Sequence, residues 1–301
     1  MTLSQLRTFI AVAEDGSVRA AAERLRISQP SVSGSVAALS DEVGAPLTER
    51  EGRGLRLSAA GQAFLPHARE ALGLLEQGAR LARTTAAVER ATIRIAAVYT
   101  AAEYLLPPLL RAFREQHPEM PIHLEIGNRE RVLDLLGTRQ ADLAVGGRAP
   151  DDGRFDGTRI CANEHIVVAA PDHPLAGEQR VPLYALADET WLVREASSGT
   201  RRLVDEYLLG ADLAPRVTTI GSNNAVAASA MVGLGVGVVP RVAVDHLLEA
   251  GMLARLDVDP APPARDWFAI LPRRRPDPRA ATMAEFLAAA EAARPTALAG
   301  A

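Results

Sequence analysis

Apolar residues return every three or four positions from Leu3 to Glu14, where Leu6, Phe9, Ile10 and Ala13 form one stripe. That spacing predicts an amphipathic helix. Asp15-Gly16-Ser17 interrupts it, and Ser17 is placed to cap a second helix, Val18 to Leu25, with Ala21, Ala22 and Leu25 facing inward. Small alanines on that face allow a close neighbour. Arg26-Ile27-Ser28 is the next break. A third helix follows from Pro30 to about Glu42, with Val32, Val36 and Leu39 in the core and Gly44 as its stop. Ser28 is a good N-cap, and Pro30 stands just inside the helix, where a missing N–H costs little. Two short strands are then predicted around Gly52 and Gly54, ending at Leu57. Ser58 opens a long helix, expected to reach about Thr85, with Pro66 near its first turn. Its stripe of Phe64, Ala68, Leu72, Leu75, Ala79 and Ala82 is either a packing face or a dimer seam, and its length favours the seam.

Beyond about Ala91 the pattern changes to alternating apolar blocks and helical stripes. Strands are predicted at Thr92–Val98, Ile122–Gly127 and Ala141–Gly146, with helices at Leu105–His117 and Val132–Gly137 between them. This is a βαβαβ run, which implies a parallel sheet with helices over it. A second set starts near Asn163. It has strands at Ile166–Ala170, Thr190–Val193, Val217–Ile220 and Val236–Pro240, and helices at Arg201–Leu209 and Ala225–Leu234. A further strand at Trp267–Leu271 and a helix from Thr282 to Ala293 complete the chain. Two similar α/β units in series imply two lobes with a cleft between them.

Composition narrows the function. The chain has 301 residues, enough for two or three domains, and a net charge of −4. All of its basic residues outside histidine are arginine, a mark of a GC-rich genome more than of function. In the first sixty residues seven arginines face seven acids, so any polyanion must be held by where the arginines point. Cys161 is the sole cysteine, which excludes an internal disulfide and a zinc cluster. It reads as a small buried hydrophobe, with a single-thiol redox role as the other reading. His67, His117, His123, His165, His173 and His246 show no metal-ligand spacing. Ser198 lies in Ser-Ser-Gly-Thr, not in a nucleophile elbow. No catalytic constellation, metal site or cofactor is therefore expected. A signal peptide and a membrane span are also missing from the pattern, and the expected location is the cytoplasm.

Two groups of polar residues carry the candidate chemistry. A recognition helix touches base edges with its N-terminal residues. Ser28, Gln29, Pro30, Ser31 and Ser33 stand at that position in the third helix, and Arg50, Arg53 and Arg56 decorate the wing, where phosphate contact is the expected role. In the second half, polar clusters fall at strand-to-helix junctions: Tyr99-Thr100, Asn128-Arg129, Gly147-Arg148, Ser198 with Thr200 and Arg201, and Ser222-Asn223. Helix N-termini offer unpaired N–H groups and a positive dipole end, so several converging on one cleft would bind an anion. Arg148 or Arg201 is placed to clamp a carboxylate or phosphate.

Leu3-Ser4-Gln5-Leu6-Arg7-Thr8-Phe9, Ser17 through Ala22, Ser28-Gln29-Pro30-Ser31-Val32-Ser33 and Leu57-Ser58-Ala59-Ala60-Gly61 resemble the LysR-type transcriptional regulators. The resemblance implies an α+β multi-domain fold: residues 1–58 a winged helix-turn-helix, 59–88 a linker and dimerisation helix, and 91–301 a two-lobed α/β effector domain similar to periplasmic binding proteins. Its first lobe would take 91–162 and 267–301, its second 163–266. The resemblance also implies a homodimer or homotetramer on promoter inverted repeats of double-stranded DNA, and a small coinducer in the cleft. Gln29, Ser31 and Ser33 would read bases or adjacent phosphates, and Arg50 and Arg53 would hold the backbone. The chain departs from the family at Gly34 and Ser35, at Ser40 where an acid is common, and at Thr48 where an aromatic is usual. Arg194 through Arg201 resembles the branch that includes regulators of carbon fixation and sulfur metabolism, which fits a phosphorylated or carboxylated effector. The competing readings are an effector-independent DNA-binding oligomer and a transport solute-binding protein.

Overall fold

The computed structural model describes residues 1–51, 54–83 and 92–292. It divides the chain into two compact units, Met1–Arg90 with Gly137–Gln140, and Ala91–Leu136 with Ala141–Ala301.

The first unit is a winged helix-turn-helix. Helix α1 (Leu3–Asp15) starts in a capping box: Thr2 Oγ1 accepts from the Gln5 amide at 3.2 Å, and the Gln5 side chain accepts from the Thr2 amide at 2.6 Å. Gly16 ends it at φ +63°, a left-handed turn that glycine adopts without strain. Ser17 caps α2 (Val18–Leu25), and Ser28 caps α3 (Gln29–Val43) through the Ser31 amide at 3.3 Å. Strands β1 (Thr48–Glu51) and β2 (Gly54–Leu57) pair antiparallel as the wing. Helix α4 (Ala59–Arg83) follows, capped by Ser58 Oγ accepting from the Gly61 amide at 3.0 Å. Gly61 is required by proximity: a Cβ there would meet the Leu47 carbonyl oxygen at 1.9 Å.

Two apolar clusters hold these helices. Leu6, Phe9, Leu39 and Leu47 pack with Ala68 and Leu72 of α4, while Ala11, Val12, Ala21, Ala22, Val32 and Val36 close the contact of α1, α2 and α3. The Ser40 departure has a local use, since its hydroxyl donates to the Val36 carbonyl and accepts from the Leu47 amide, tying the helix end to the wing. The α4 stripe is divided. Ala68 and Leu72 are core, whereas Leu75, at 53% exposure, and Ala79 are exposed. Pro66 lies inside α4 beyond its first turn, and the helix runs through it. The expected end of this helix near Thr85 lies outside the described residues.

The second unit contains two five-stranded sheets. Strand β3 (Ile93–Val98), a π-helical turn (Ala101–Leu105), α5 (Leu106–Gln116), β4 (Ile122–Gly127), α6 (Arg129–Gly137) and β5 (Leu143–Gly146) form the expected parallel run. Strands β6 (Phe155–Asn163), β7 (His165–Ala169), β8 (Val181–Pro182) and β9 (Thr190–Val193) come next, then α7 (Gly199–Leu209), β10 (Arg216–Thr219) and α8 (Asn223–Met231). The chain continues through β11 (Val236–Pro240), α9 (Asp245–Glu249), β12 (Ala254–Leu256), β13 (Val258–Asp259), β14 (Arg265–Pro272) and α10 (Pro278–Ala292). The first sheet has the order β4-β3-β5-β14-β6 and the second β10-β9-β11-β7-β12. Strand β14 returns antiparallel to β5 and β6, so the C-terminal segment rejoins the first sheet.

Both faces of each sheet are covered, which explains the near-continuous apolar runs of β3, β5, β7 and β11. Phe113, Trp267, Met283 and Leu287 pack on one face of the first sheet, and Val132, Leu135, Leu136 and Phe155 on the other. Trp191, Leu203 and Tyr207 cover one face of the second sheet, and Val226, Ala227 and Leu253 the other. Cys161, expected as a small buried hydrophobe, is half-buried and packs at the margin of the Trp267 core.

Candidate nucleic-acid interface and ligand cavity

The front of α3 is open to solvent. Ser28, Gln29, Pro30, Ser31 and Ser33 are all exposed, and Val32 between them is fully buried and anchors the turn. The Ser28 hydroxyl serves the cap and shares a hydrogen bond with the Ser31 hydroxyl at 2.8 Å. Gln29 and Ser33 are therefore the side chains left to reach outward. Arg56 is exposed but pairs across the wing with Glu49 at 2.8 Å. Arg53 lies outside the described residues, as does the side chain of Arg50. Sequence reasoning passed over Arg26. It sits in the turn just before Ser28 at φ +56°, exposed, and makes no ion pair among the described residues. Arg7, Arg19 and Arg24 pair with acids instead.

The second unit holds a cavity of about 400 Å³ between its two sheets. Of the predicted junction residues, Tyr99, Thr100, Asn128, Arg129, Gly147, Arg148, Ser198, Thr200 and Asn223 line it. The other two are corrections. Arg201 turns away, with Nε 2.8 and 2.9 Å from the two Asp205 carboxylate oxygens and a guanidinium nitrogen donating to the Arg194 carbonyl at 3.2 Å. An arginine one helical turn before an aspartate is its natural partner, and that spacing was readable. Ser222 is confined to its cap, accepting from the Ala225 amide at 3.1 Å.

Helix geometry brings Arg202 into the lining instead, one position on from Arg201 and above the buried Leu203. Arg129, Arg194 and Arg265 also line the cavity, so five arginines with Arg148 face a single carboxylate, Asp266. That carboxylate is held by Arg159 at 3.0 Å. Arg194 is neutralised by a bidentate pair with Glu195 at 2.8 and 2.9 Å, and Arg265 pairs with Glu206 at 2.6 Å. Arg129 and Arg202 have no ion pair among the described residues. Among the described residues Arg129 donates to the Arg148 carbonyl alone, at 2.6 Å. Burial, then the like charges of Arg202 and Arg265, hold the Arg129 guanidinium below its ordinary pKa. An anion beside it would remove that penalty.

Several donors face the same space. Ser198 stands at the N-cap of α7 yet makes no capping bond, and it is 6% exposed. The first amides of α7 precede the first intrahelical bond, which Arg202 N–H makes to the Ser198 carbonyl. Such a helix end is a ready anion site. Other polar groups bridge the two lobes directly. Asn128 caps α6 through the Arg131 amide and donates to the Ser197 hydroxyl at 2.8 Å. Asn223 donates to Thr100 Oγ1 at 2.9 Å, and Asn224 donates to Glu103 at 2.9 Å while accepting from Tyr104 at 3.1 Å. Thr100 reaches Asn223 from a backbone in which Tyr99 and Thr100 are already helical, earlier than the start at Leu105 that the pattern predicts. Among the described residues no cluster of histidine, cysteine and acids could hold a metal, and no helix is long and apolar enough to cross a membrane.

Two family models account for most of the chain. One, described as a bacterial regulatory helix-turn-helix protein of the lysR family, matches residues 3–62, and one described as a LysR substrate binding domain matches residues 86–292. A RuBisCO operon transcriptional regulator of Allochromatium vinosum is 35% identical over 301 residues, covering 98% of this chain and 97% of that protein. Among solved structures, the regulatory domain of Synechocystis CcmR in complex with 2-PG aligns with a TM-score of 0.63 and 27% identity, over 67% of this chain and 98% of that one. A mutant OxyR of Corynebacterium glutamicum aligns with a TM-score of 0.60 and 28% identity, over 96% of this chain and 91% of that one.

Proposed function

The chain belongs to the LysR family of bacterial transcriptional regulators, and from that premise we propose that it binds promoter inverted repeats as a homodimer or homotetramer under the control of a small metabolic anion. In this reading residues 1–58 hold the DNA, residues 59–88 join protomers, and residues 91–301 sense the ligand. The chain performs no catalysis in this reading and works in the cytoplasm.

Gln29 and Ser33 read base edges from the front of α3, with Ser28, Pro30 and Ser31 shaping that tip against the sugar-phosphate rail. Arg26, with Arg50, Arg53 and Arg56 of the wing, holds phosphates. Leu74 and Leu75, exposed on the second half of α4, supply the apolar seam between protomers.

The observation that carries the ligand assignment is Arg129. It is a partly buried cation without a carboxylate partner among the described residues, pressed by Arg202 and Arg265 and facing the N-terminus of α7. A phosphate or carboxylate placed there accepts from Arg129, Arg202, Thr200, Ser198 and the free amides together. The complex of the CcmR regulatory domain with 2-PG supports a small ligand in this domain type. Calorimetric titration with phosphorylated and carboxylated metabolites tests the assignment. Binding by the wild type and its loss in Arg129→Ala is the expected result. Undiminished binding by Arg129→Ala removes the anion from this cavity.

A further inference from the structure

Around the cavity lie side-chain atoms that can only accept hydrogen bonds and that, among the described residues, have no donor. Asn163 and Asn223 line it at 7% and 5% exposure, and in each the Oδ1 atom is buried without a donor. Asn223 is oriented by its Nδ2 bond to Thr100, which leaves Oδ1 on the other side of the amide. His165 lines the same cavity, with Nδ1 3.1 Å from the Asn163 carbonyl oxygen. A carbonyl can only accept, so Nδ1 carries the ring proton. Burial, with the nearby Arg265 charge, pushes the His165 pKa down to about 4, so the ring is neutral near pH 7 and Nε2 is a bare lone pair.

A fully ionised oxyanion brings acceptors alone. It suits Arg129, Arg202 and the α7 amides, but offers nothing to the Oδ1 atoms of Asn163 and Asn223 or to Nε2 of His165. A cavity of about 400 Å³ has room for more than a bare phosphate. We propose that the ligand is a hydroxylated anion, a phosphate or carboxylate bearing at least one alcohol, whose O–H groups donate to Asn163, His165 and Asn223 while its charged end meets Arg129 and Arg202. This rests on the anion-sensing function proposed above and adds the residues that select among anions.

Matched pairs test it by calorimetry on the full chain: glycerol 3-phosphate against propyl phosphate, and glycerate against propionate. A site built to bond a hydroxyl discriminates strongly against the analogue lacking it. The hydroxylated member of at least one pair is expected to bind ~10-fold more tightly or better. Asn223→Ala and His165→Phe are expected to bring the affinity ratio of the two members of a pair toward one, whatever each variant does to both members alike. Asn163→Ala makes the same comparison should either variant fail to fold by circular dichroism. Equal affinity of both members for the wild type overturns the hydroxyl assignment and leaves anion sensing standing. Failure of every member to bind overturns both.

Discussion

The tip of α3 and the cavity of the second unit are both polar, but they are built in opposite ways. At α3 five neighbours in sequence, Ser28 to Ser33 around one buried valine, are presented to solvent by a helix that is otherwise a packing element. In the cavity Arg129, His165, Arg202 and Asn223 come from four distant segments; His165 and Asn223 are buried, Arg129 is half-buried and Arg202 is exposed. A duplex is too large to enclose, so its reader must protrude and can be encoded in one short run. A small anion, the proposed ligand, would have to be surrounded, so its site would be assembled from the ends of many elements. The first arrangement tolerates loss of Gln29 or Ser33 without structural cost, since neither side chain serves the cap or the core. The second holds cations without ion pairs and acceptors without donors among the described residues, which the proposed ligand would satisfy.

Removing the support of one region should leave the other intact. Phe9→Ala deletes a fully buried ring between α1, α3 and α4 and should cost the winged unit about 3–5 kcal/mol. Calorimetric melting should show one transition lowered and DNA binding lost, with metabolite affinity unchanged. Loss of metabolite affinity as well would show that the two regions are not separable.

Gln29→Ala and Ser33→Ala should each weaken binding to the cognate promoter by ~1–3 kcal/mol while leaving non-specific DNA binding and the melting curve in place. A competition gel-shift with specific and random duplexes separates the two effects.

The cavity alone should respond to acid. His165 in the folded chain titrates near pH 4, below the 6.5 of an unfolded histidine. Between those values the unfolded chain binds a proton that the folded chain refuses, so stability of the second unit falls as pH drops through this window. His165→Phe should flatten that part of the pH dependence of the melting temperature. A slope identical to the wild type would remove His165 as its source.

The smallest effect is expected at Arg26. Its replacement by alanine should weaken specific and random DNA alike and reduce the salt slope of binding by ~1. A change confined to the specific site would make it a base reader instead.

The same contrast governs what the sequence could tell. The three helices, their caps and the α3 tip were legible because helical stripes and N-caps are local signals. The parallel run of β3, β4 and β5 was legible from its apolar blocks. Strand β6 was not, since its exposed middle, Asp156 to Arg159, breaks the alternation between Phe155 and Ile160. The short strands β8, β12 and β13 were missed because two or three residues carry no period. In the cavity, junction residues such as Thr100, Ser198 and Asn223 could be found because they begin helices. Arg202 and Arg265 could not, because nothing local separates a lining arginine from a solvated one. The Arg201 error was avoidable: its pairing with Asp205 follows from spacing alone.

DNase I footprinting on the chain's own promoter, with and without a phosphorylated ligand that binds the cavity, joins the two regions in one assay. The wild type should change its footprint when the ligand is added, and Arg129→Ala should give the unliganded footprint in both lanes. An Arg129→Ala protein that shifts its footprint as the wild type does would contradict the claim that an anion in this cavity controls the helix on the DNA.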